Sequence, residues 1–264
     1  MPATYTHAVY GDKVYQLCDA KMKALIDQYR GYYDIGLSGP DILFFYRPIG
    51  KDEKGISDLG NHMHELAARD FFTQARCKIK ESSNPEAALA YILGFINHFV
   101  LDSECHPIIN QYTATHEVSH SELESELDAV FMREKGLNPV KTKVTEHIQA
   151  KKEYAEVIAP FFGLEAKEVL EALKTMKLLL NIFVAPSHLK RNFIYSVMKK
   201  VGVYKKYQGL IFNYEPRQDT IEICQLLKEK LEMVKGESVR LMQEYQMSLD
   251  TNGSLDQRYD LSYE

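Results

Sequence analysis

The sequence predicts an all-α protein, and three observations support that prediction. Apolar residues recur at helical spacing along most of the 264 residues. No alternating apolar and polar stretch is long enough to indicate a β-strand. Hydrophobic residues make up 45% of the chain and charged residues 26%, which is the composition of a globular protein with a sizeable core.

The first part of the chain is predicted to hold two helices on either side of an irregular segment. Apolar residues at helical spacing predict a helix over residues 9–29. Residues 31–60 contain six glycines and two prolines, so they are predicted to form a long irregular connection. A second helix is predicted over residues 62–79, with its apolar residues on one side.

The middle of the chain carries two clear helix starts. Asn84-Pro85-Glu86 places a capping residue before a proline in the first turn, and a strongly apolar helix is predicted from Ala87 to about Leu101. Ser119 and Glu122 have capping-box spacing and begin a helix that runs to Phe131. The apolar helix is expected at the centre of the fold.

The second half of the chain shows amphipathic stretches near 144–161, 165–184, 188–201 and 219–247. We expect residues 1–135 to form the region that carries the chemistry. Residues 136–248 are expected to be a helical scaffold packed on it within one domain, and residues 249–264, with Asn252-Gly253, a loose polar tail. The apolar face of residues 166–183 is most simply core, and it is also compatible with peripheral contact to a membrane.

Charge, hydropathy and cysteine content restrict the function. The net charge is −5 and the sequence pI about 6.0, so bulk charge does not favour nucleic acid. We find neither a signal-peptide pattern nor an apolar run long enough to span a bilayer. The four cysteines are scattered without a CxxC motif, which fits reduced thiols and predicts a cytoplasmic protein.

Histidines are concentrated in the first 120 residues, which hold seven of the nine. His98, Asp102 and, if the helix continues for one more turn, His106 lie four residues apart and therefore along one stripe of a helix. Imidazole and carboxylate groups beside apolar residues need a partner, and a metal ion such as zinc provides one. A solvated polar helix face is the alternative for His98 and Asp102 taken alone.

Further candidate ligands surround this stripe. His120 and Glu124 are again four residues apart, although glutamates in a first helical turn also have a purely electrostatic role. His7 is weak evidence by itself. Asp41 follows Gly39-Pro40, and its residue type fits a catalytic base and a helix cap equally well.

The ordered series resembles the zinc-dependent phospholipase C family, which is related to the S1/P1 nucleases. The residues that carry the resemblance lie within about residues 5–130: His7, Asp41, His62 or His64, His98, Asp102, His106, His120 and Glu124. The string from Ser119-His120-Ser121 through Glu124 to Asp128 is similar to the family's histidine and glutamate helix. The resemblance implies a multi-helix domain with metals at the bottom of a cleft, here with additional C-terminal helices.

The resemblance also implies roles for these residues. His64 (or His62), His98 and Asp102 would hold one zinc ion, and His106, His120 and Glu124 a second. His7 and Asp102 would contribute to a third, with Asp102 bridging. Asp41 matches the family's catalytic aspartate, which helps to activate the attacking water. Two or three Zn²⁺ ions are therefore expected.

Other functions compete with this interpretation. His116-Glu117-Val118-Ser119-His120 reads as HExxH, the signature of zincin metallopeptidases. An S1/P1-like nuclease would need stacking surfaces and basic phosphate contacts, and Lys199-Lys200 and Lys205-Lys206 are more simply solvated helix ends. A non-catalytic metal protein is the third alternative. The sequence favours a metal-dependent phosphodiesterase of phospholipase C type, which acts on a small-molecule or lipid phosphoester through metal-activated water.

Overall fold

The computed structural model describes residues 4–251 and 253–264, and it confirms the all-α prediction, since these residues form helices and no strand. The α-helices are α1 (Thr4–Leu17), α2 (Ala20–Gln28), α3 (Arg30–Gly36), α4 (Ile56–Glu65), α5 (Arg69–Glu81), α6 (Pro85–Thr113), α7 (His120–Glu134), α8 (Lys152–Phe162), α9 (Ala166–Phe183), α10 (His188–Lys200), α11 (Tyr204–Tyr207) and α12 (Ile221–Thr251). A 3₁₀ helix, Gly39–Phe45, follows α3, and shorter ones span Gln208–Leu210, Gln218–Thr220 and Gln257–Asp260.

Side-chain caps begin several of these helices. The Asn84 side chain accepts a hydrogen bond from the amide of Ala87, and Ser119 accepts one from Glu122. Both predicted helix starts are therefore confirmed. Asp19 caps α2 in the same way, and this cap divides the apolar run over residues 9–29 into two helices, so the prediction of one continuous helix was wrong.

The irregular segment predicted over residues 31–60 is also wrong in part. It contains α3, the 3₁₀ helix Gly39–Phe45 and the start of α4, and only residues 37–38 and 46–55 lack a helix. The helix predicted over 62–79 is interrupted between α4 and α5, and the one predicted over 144–161 begins only at Lys152. Short helices of seven residues carry too little periodicity to stand out from a glycine-rich sequence.

Helix α6 is the centre of the fold. Nearly every residue from Ala87 to Ser103 is buried, and the helix contacts α3, α12, α5 and α1 along its length. It continues through Pro107 to Thr113, so the additional turn that brings His106 onto the stripe is present. Helix α6 is buried over most of its length, yet among the described residues no helix is both long and apolar enough to cross a membrane.

Two glycines set the closest approach in this core. Gly36 on α3 lies against Gly94 on α6, and a Cβ atom on Gly36 would overlap the carbonyl oxygen of Tyr91. A Cβ on Gly94 would overlap the carbonyl oxygen of Tyr33 in the same way. The two backbones are therefore in direct contact, which fixes the end of α3 against the middle of α6.

The C-terminal segment is packed, which corrects the prediction of a loose tail. Leu255, Tyr259 and Tyr263 are buried, and the amide of Tyr263 donates a hydrogen bond to the carbonyl of His64 at 3.1 Å. The Tyr259 ring stacks on Phe99 of α6. The two tyrosines are four residues apart and bury apolar surface that the polar composition of the segment did not indicate. Asn252, which was part of the prediction, lies outside the described residues.

Candidate metal centre

Four helices and one 3₁₀ helix bring the predicted ligands together around α6. Helix α1 contributes His7, the 3₁₀ helix Asp41 and α4 His64, whereas α6 contributes His98, Asp102 and His106 and α7 contributes His120 and Glu124. All of them are buried except His120, which is partly exposed. We call His7, Asp41, His64, His98 and Asp102 the inner donor group, and His106, His120 and Glu124 the outer donor group.

Asp102 occupies the middle of the inner donor group. Its Oδ1 lies 3.1 Å from Nε2 of His7, and its Oδ2 lies 2.9 Å from Nε2 of His98. His106 and His64 approach it at 3.7 and 3.9 Å. One carboxylate therefore faces four imidazoles, and its 3.7 Å approach to His106 connects the two donor groups.

Asp41 belongs to the same group. Its Oδ1 lies 3.1 Å from Nε2 of His64, and its Oδ2 lies 3.9 Å from Nε2 of His98. The carboxylate thus faces the histidines, and no side-chain cap hydrogen bond starts this 3₁₀ helix. Of the two interpretations from the sequence, the geometry favours a role in the site.

The outer donor group is formed by the end of α6 and the start of α7. Oε1 of Glu124 lies 3.4 Å from Nε2 of His106 and 3.2 Å from Nε2 of His120. The donor atoms of these three residues all lie within 4.8 Å of one another, as do those of His7, Asp41, His98 and Asp102.

Hydrogen bonds at Nδ1, the ring nitrogen opposite the site, indicate how three of the histidine rings are oriented. Nδ1 faces an oxygen acceptor in each of three cases, which are His64 with Gly60 O at 2.7 Å, His98 with Leu37 O at 3.2 Å and His120 with Asn110 Oδ1 at 3.1 Å. An imidazole that donates from Nδ1 presents a lone pair at Nε2 when neutral. Metal-binding histidines are held in this way by a second hydrogen bond.

The donor positions fit a zinc ion better than they fit hydrogen bonds. Nε2 of His98 is buried and makes no hydrogen bond, although Oδ2 of Asp102 is only 2.9 Å away. Two ligands of one metal ion are close together without a hydrogen bond between them, because the lone pairs of both atoms point toward the ion. Ligands at zinc distances in a tetrahedral arrangement lie about 3.3 Å apart, and the shortest separations in both groups are 2.9 to 3.4 Å.

The electrostatics of the inner donor group favour positive charge beside the carboxylates. Burial would raise the pKa of Asp102, but the surrounding imidazoles, His106 and His98 above all, hold it well below its ordinary value. The pKa of Asp41 is lowered by His98 and His64 against the same effect of burial. The pKa of His7 is raised, since the field of Asp102 outweighs burial.

The outer donor group shows the same pattern. Burial would lower the pKa of His106, but Asp102 and Glu124 raise it to about 9. Burial would raise the pKa of Glu124, yet the two histidines beside it contribute to a net lowering. Both groups keep their carboxylates ionised at neutral pH, which is the form that binds a divalent cation.

The structure separates the two histidines that the sequence left as alternatives. His64 is buried in the inner donor group, whereas His62 is exposed and lines a different cavity with Leu59 and Phe71. The side chains at positions 62 and 64 of α4 point to different sides of the helix, because two residues turn it by about 200°.

The HExxH segment has no zincin geometry. It covers the connection from α6 and ends at His120, the first residue of α7, so His116 and His120 do not share a helix. The His116 ring is exposed and stacks on Tyr112 at 3.8 Å, and Glu117 is exposed as well. The metallopeptidase alternative is thus not supported by the structure.

Three residues that the site hypothesis did not use also shape the centre. Asp128 on α7 accepts hydrogen bonds from the amides of Tyr5 and Thr6, at 3.1 and 2.6 Å, and so holds the start of α1 beside His7. Asp128 is one helical turn after Glu124, a spacing that could have indicated it. Gly39 has φ of +50°, and a Cβ there would overlap the ring of His98.

Tyr263 is the third of these residues. Its ring lies 5.4 Å from His64 and 6.0 Å from His98 and covers one side of the inner donor group. Burial raises the pKa of its hydroxyl well above the ordinary value. No local pattern in the sequence connects Tyr263 with His98 and His64, which lie 165 and 199 residues earlier.

A cleft opens above the donors. It has a volume of about 370 Å³ and is lined by Phe44, Ser57, Asn61, His64, Glu65, His106, His120, Lys206 and Glu264. The outer donor group faces this cleft, while His7 and Asp102 lie deeper, beside a smaller cavity under α7. A ligand that enters the cleft thus meets His64, His106 and His120 first.

The family comparison agrees with this geometry. The family model for zinc-dependent phospholipase C matches residues 6–176, which include every member of both donor groups and extend beyond the stretch that carried the resemblance. No curated protein and no solved structure matches the chain significantly. The match covers more than half of the sequence, so the chain belongs to the zinc-dependent phospholipase C family.

Proposed function

We propose that this member of the zinc-dependent phospholipase C family hydrolyses a phosphodiester, with phospholipids as the substrate class. The observation that carries the proposal is the pair of buried donor groups at the base of a cleft of about 370 Å³. Family membership supports a zinc-dependent enzyme that hydrolyses phosphoester bonds. The cleft and its lining residues support a phospholipid as the phosphodiester that is hydrolysed.

The inner and outer donor groups would hold the zinc ions. His7, His64, His98 and Asp102 supply nitrogen and oxygen ligands for the inner sites, and His106, His120 and Glu124 those for the outer site. Zinc supplies Lewis acidity toward phosphate oxygens and toward the attacking water when it is bound. Two or three ions fit these seven ligands, because structural and catalytic zinc sites use three or four protein ligands and carboxylates can bridge.

The chain's own residues would handle the proton. Asp41 is ionised, fully buried and next to the cleft-lining His64, so it is positioned to orient the attacking water and accept its proton. The water oxygen forms the new bond to phosphorus, the bond from phosphorus to the alcohol oxygen breaks, and the proton passes to that oxygen. Lys206 on the cleft wall places a positive charge near the phosphate.

We also propose a cytoplasmic location, which is supported by the free thiols. Cys18, Cys77, Cys105 and Cys224 are all unpaired, and three of them are buried. Unpaired cysteines persist most readily in a reducing compartment. The proposal is independent of the site and can be tested separately by fractionation.

The test of the function combines metal content with activity. Protein purified without chelator should contain two or three zinc ions per chain by elemental mass spectrometry. It should release the phosphorylated headgroup from short-chain, monomeric phospholipids. Asp41→Asn should retain zinc but lower turnover by about 100-fold or more, because the amide accepts no proton. His62→Ala is the matched control, and it should change neither quantity.

Two results would contradict the proposal. A zinc-loaded protein that cleaves single-stranded DNA and leaves every phospholipid intact would be a nuclease of the related type. Full activity of Asp41→Asn on the true substrate would remove Asp41 from the mechanism.

A further inference from the structure

A second functional surface is indicated by the distribution of charge. Residues 172–214 contain eight lysines and arginines and no aspartate or glutamate, while the remaining residues hold 24 of the 32 basic side chains and all 37 acidic ones. The protein as a whole has a net charge of −5, so this segment is a strongly basic region on an acidic protein. It comprises most of α9 together with α10, α11 and their connections.

The same region exposes large apolar side chains. On α10, Leu189 is 83% exposed and Phe193 68% exposed, and Val197 continues the row at four-residue spacing. The other face of the helix packs into the protein through Ile194 and Met198. Seven of the fifteen exposed large apolar residues in the described part of the chain belong to this region and the adjacent loop: Ile49, Leu178, Ile182, Leu189, Phe193, Val197 and Val201.

An apolar groove lies between α9 and α10. It has a volume of about 320 Å³, and its wall includes Ile182 from α9, Phe193 and Val197 from α10, and Ile49 from the loop that joins the 3₁₀ helix of Asp41 to α4. We call the groove together with the exposed row on α10 the α9–α10 surface. An exposed apolar surface of this kind marks an interaction site.

Cations border the α9–α10 surface. Lys190 is at the start of α10, Lys199 and Lys200 are at its end, and Lys205 follows on α11, all of them exposed. A helix with apolar Leu and Phe on one side and lysines around it is the pattern of a helix that lies in the plane of a membrane. Lysines near an anionic bilayer each add favourable electrostatic energy. Anionic lipid thus complements both the charge and the apolar character of this surface.

We propose that the α9–α10 surface docks the protein on anionic phospholipid bilayers. The proposal rests on the proposed function, because it presents the cleft to a lipid substrate. Two residues link the surface to the site: Lys206, next to Lys205 on α11, lines the cleft, and Ile49 is in the loop between the elements that carry Asp41 and His64. The exposed row and the lysines on α10 and α11 lie beyond the residues that the family model matches, whereas Ile49 of the groove lies within them.

The experiment measures sedimentation of the full-length, zinc-loaded protein with vesicles. Vesicles of phosphatidylcholine with 30% phosphatidylglycerol should bind it about tenfold or more tightly than pure phosphatidylcholine. Leu189→Ser/Phe193→Ser should weaken binding to the anionic vesicles by about tenfold or more, since two large apolar side chains no longer enter the bilayer. Lys199→Gln/Lys200→Gln should weaken it by about 20-fold at low salt.

A matched control separates this surface from general hydrophobicity. Leu226→Ser/Met233→Ser alters two exposed apolar residues on α12, outside the basic segment, and should leave vesicle binding unchanged. Equal binding to both kinds of vesicle, or unchanged binding by Leu189→Ser/Phe193→Ser, would overturn the proposal. A wild-type dimer that Leu189→Ser/Phe193→Ser dissociates, without vesicle binding, would reassign the surface to a second copy of the chain.

Activity on monomeric lipid keeps the two proposals distinguishable. Hydrolysis of a short-chain phospholipid below its micelle concentration should be the same for wild type and Leu189→Ser/Phe193→Ser, whereas hydrolysis of vesicle lipid should fall together with binding. Vesicle binding without hydrolysis of either substrate would contradict the proposed function alone. Hydrolysis of monomeric lipid without vesicle binding would contradict the docking proposal alone.

Discussion

The two donor groups of the metal centre differ in how the chain builds them. The outer donor group comes from two consecutive helices, and its members His106, His120 and Glu124 are within 20 residues of one another. The inner donor group joins four separate elements, from His7 on α1 to Asp102 on α6. The outer group depends mainly on local helix geometry, whereas the inner group exists only when the complete fold has formed.

The groups also differ in exposure. His120 is partly exposed and lines the cleft, while His7 and Asp102 are buried beneath it. Ligand exchange and substrate contact are thus expected at the outer donor group, and tightly held metal at the inner one. Mutations that affect one group without the other test this division.

The largest effect is expected from Asp102→Ala. This carboxylate faces four imidazoles and contacts both groups, so its removal should lower zinc affinity by more than about 100-fold and abolish activity. Zinc content per chain and turnover on monomeric lipid measure the two effects. If Asp102→Ala retained its full zinc content, Asp102 would not be a bridging ligand.

A smaller effect, confined to one group, is expected from His120→Ala. It should remove one zinc ion per chain and leave the inner donor group loaded, because none of the inner residues contacts His120 directly. Titration with a chelator followed by elemental analysis gives the remaining stoichiometry. Loss of all zinc from this variant would show that the two groups bind metal as one unit.

A pH effect of moderate size should distinguish the zinc-free from the zinc-loaded protein. Without a metal ion, Asp102 and Glu124 raise the pKa of His106 from 6.5 to about 9. That stabilisation is complete below the unfolded pKa of about 6.5 and is lost as the pH rises through about 9. Thermal unfolding of the chelated protein should show this loss, and zinc binding at pH 7 should release protons.

The smallest effect is expected from Asp128→Ala. Loss of the acceptor for the amides of Tyr5 and Thr6 removes a cap of α1, which typically costs about 1 kcal/mol of folding free energy. Urea unfolding of the zinc-loaded variant measures the cost. His7 is the residue after Thr6, so the variant should also bind the zinc ion nearest His7 more weakly. Zinc binding by His106 and His120 should not change.

The contrast between the groups also explains what the sequence could predict. The stripes on α6 and α7 follow from helix periodicity, so the residues from His98 to Glu124 were identified by spacing. Asp41 was noted beside Gly39-Pro40, but only the resemblance favoured a role in the site over a helix cap, because a seven-residue helix and a 3₁₀ turn leave no periodic signal around it. The choice between His62 and His64 depended on which side of α4 faces the core. Tyr263 was missed because a contact over 160 residues has no local signature.

The packing around α6 has a consequence for mutational tolerance. Gly36, Gly39 and Gly94 bear no functional group, yet a methyl group at any of them would strike the backbone of the opposing helix or the imidazole of His98. The carbonyl of Leu37, which orients that imidazole, is located between the first two. Saturation mutagenesis should therefore find these three glycines about as intolerant of replacement as the ligands. The position of the His98 ring thus depends partly on neighbouring residues that have no side chain.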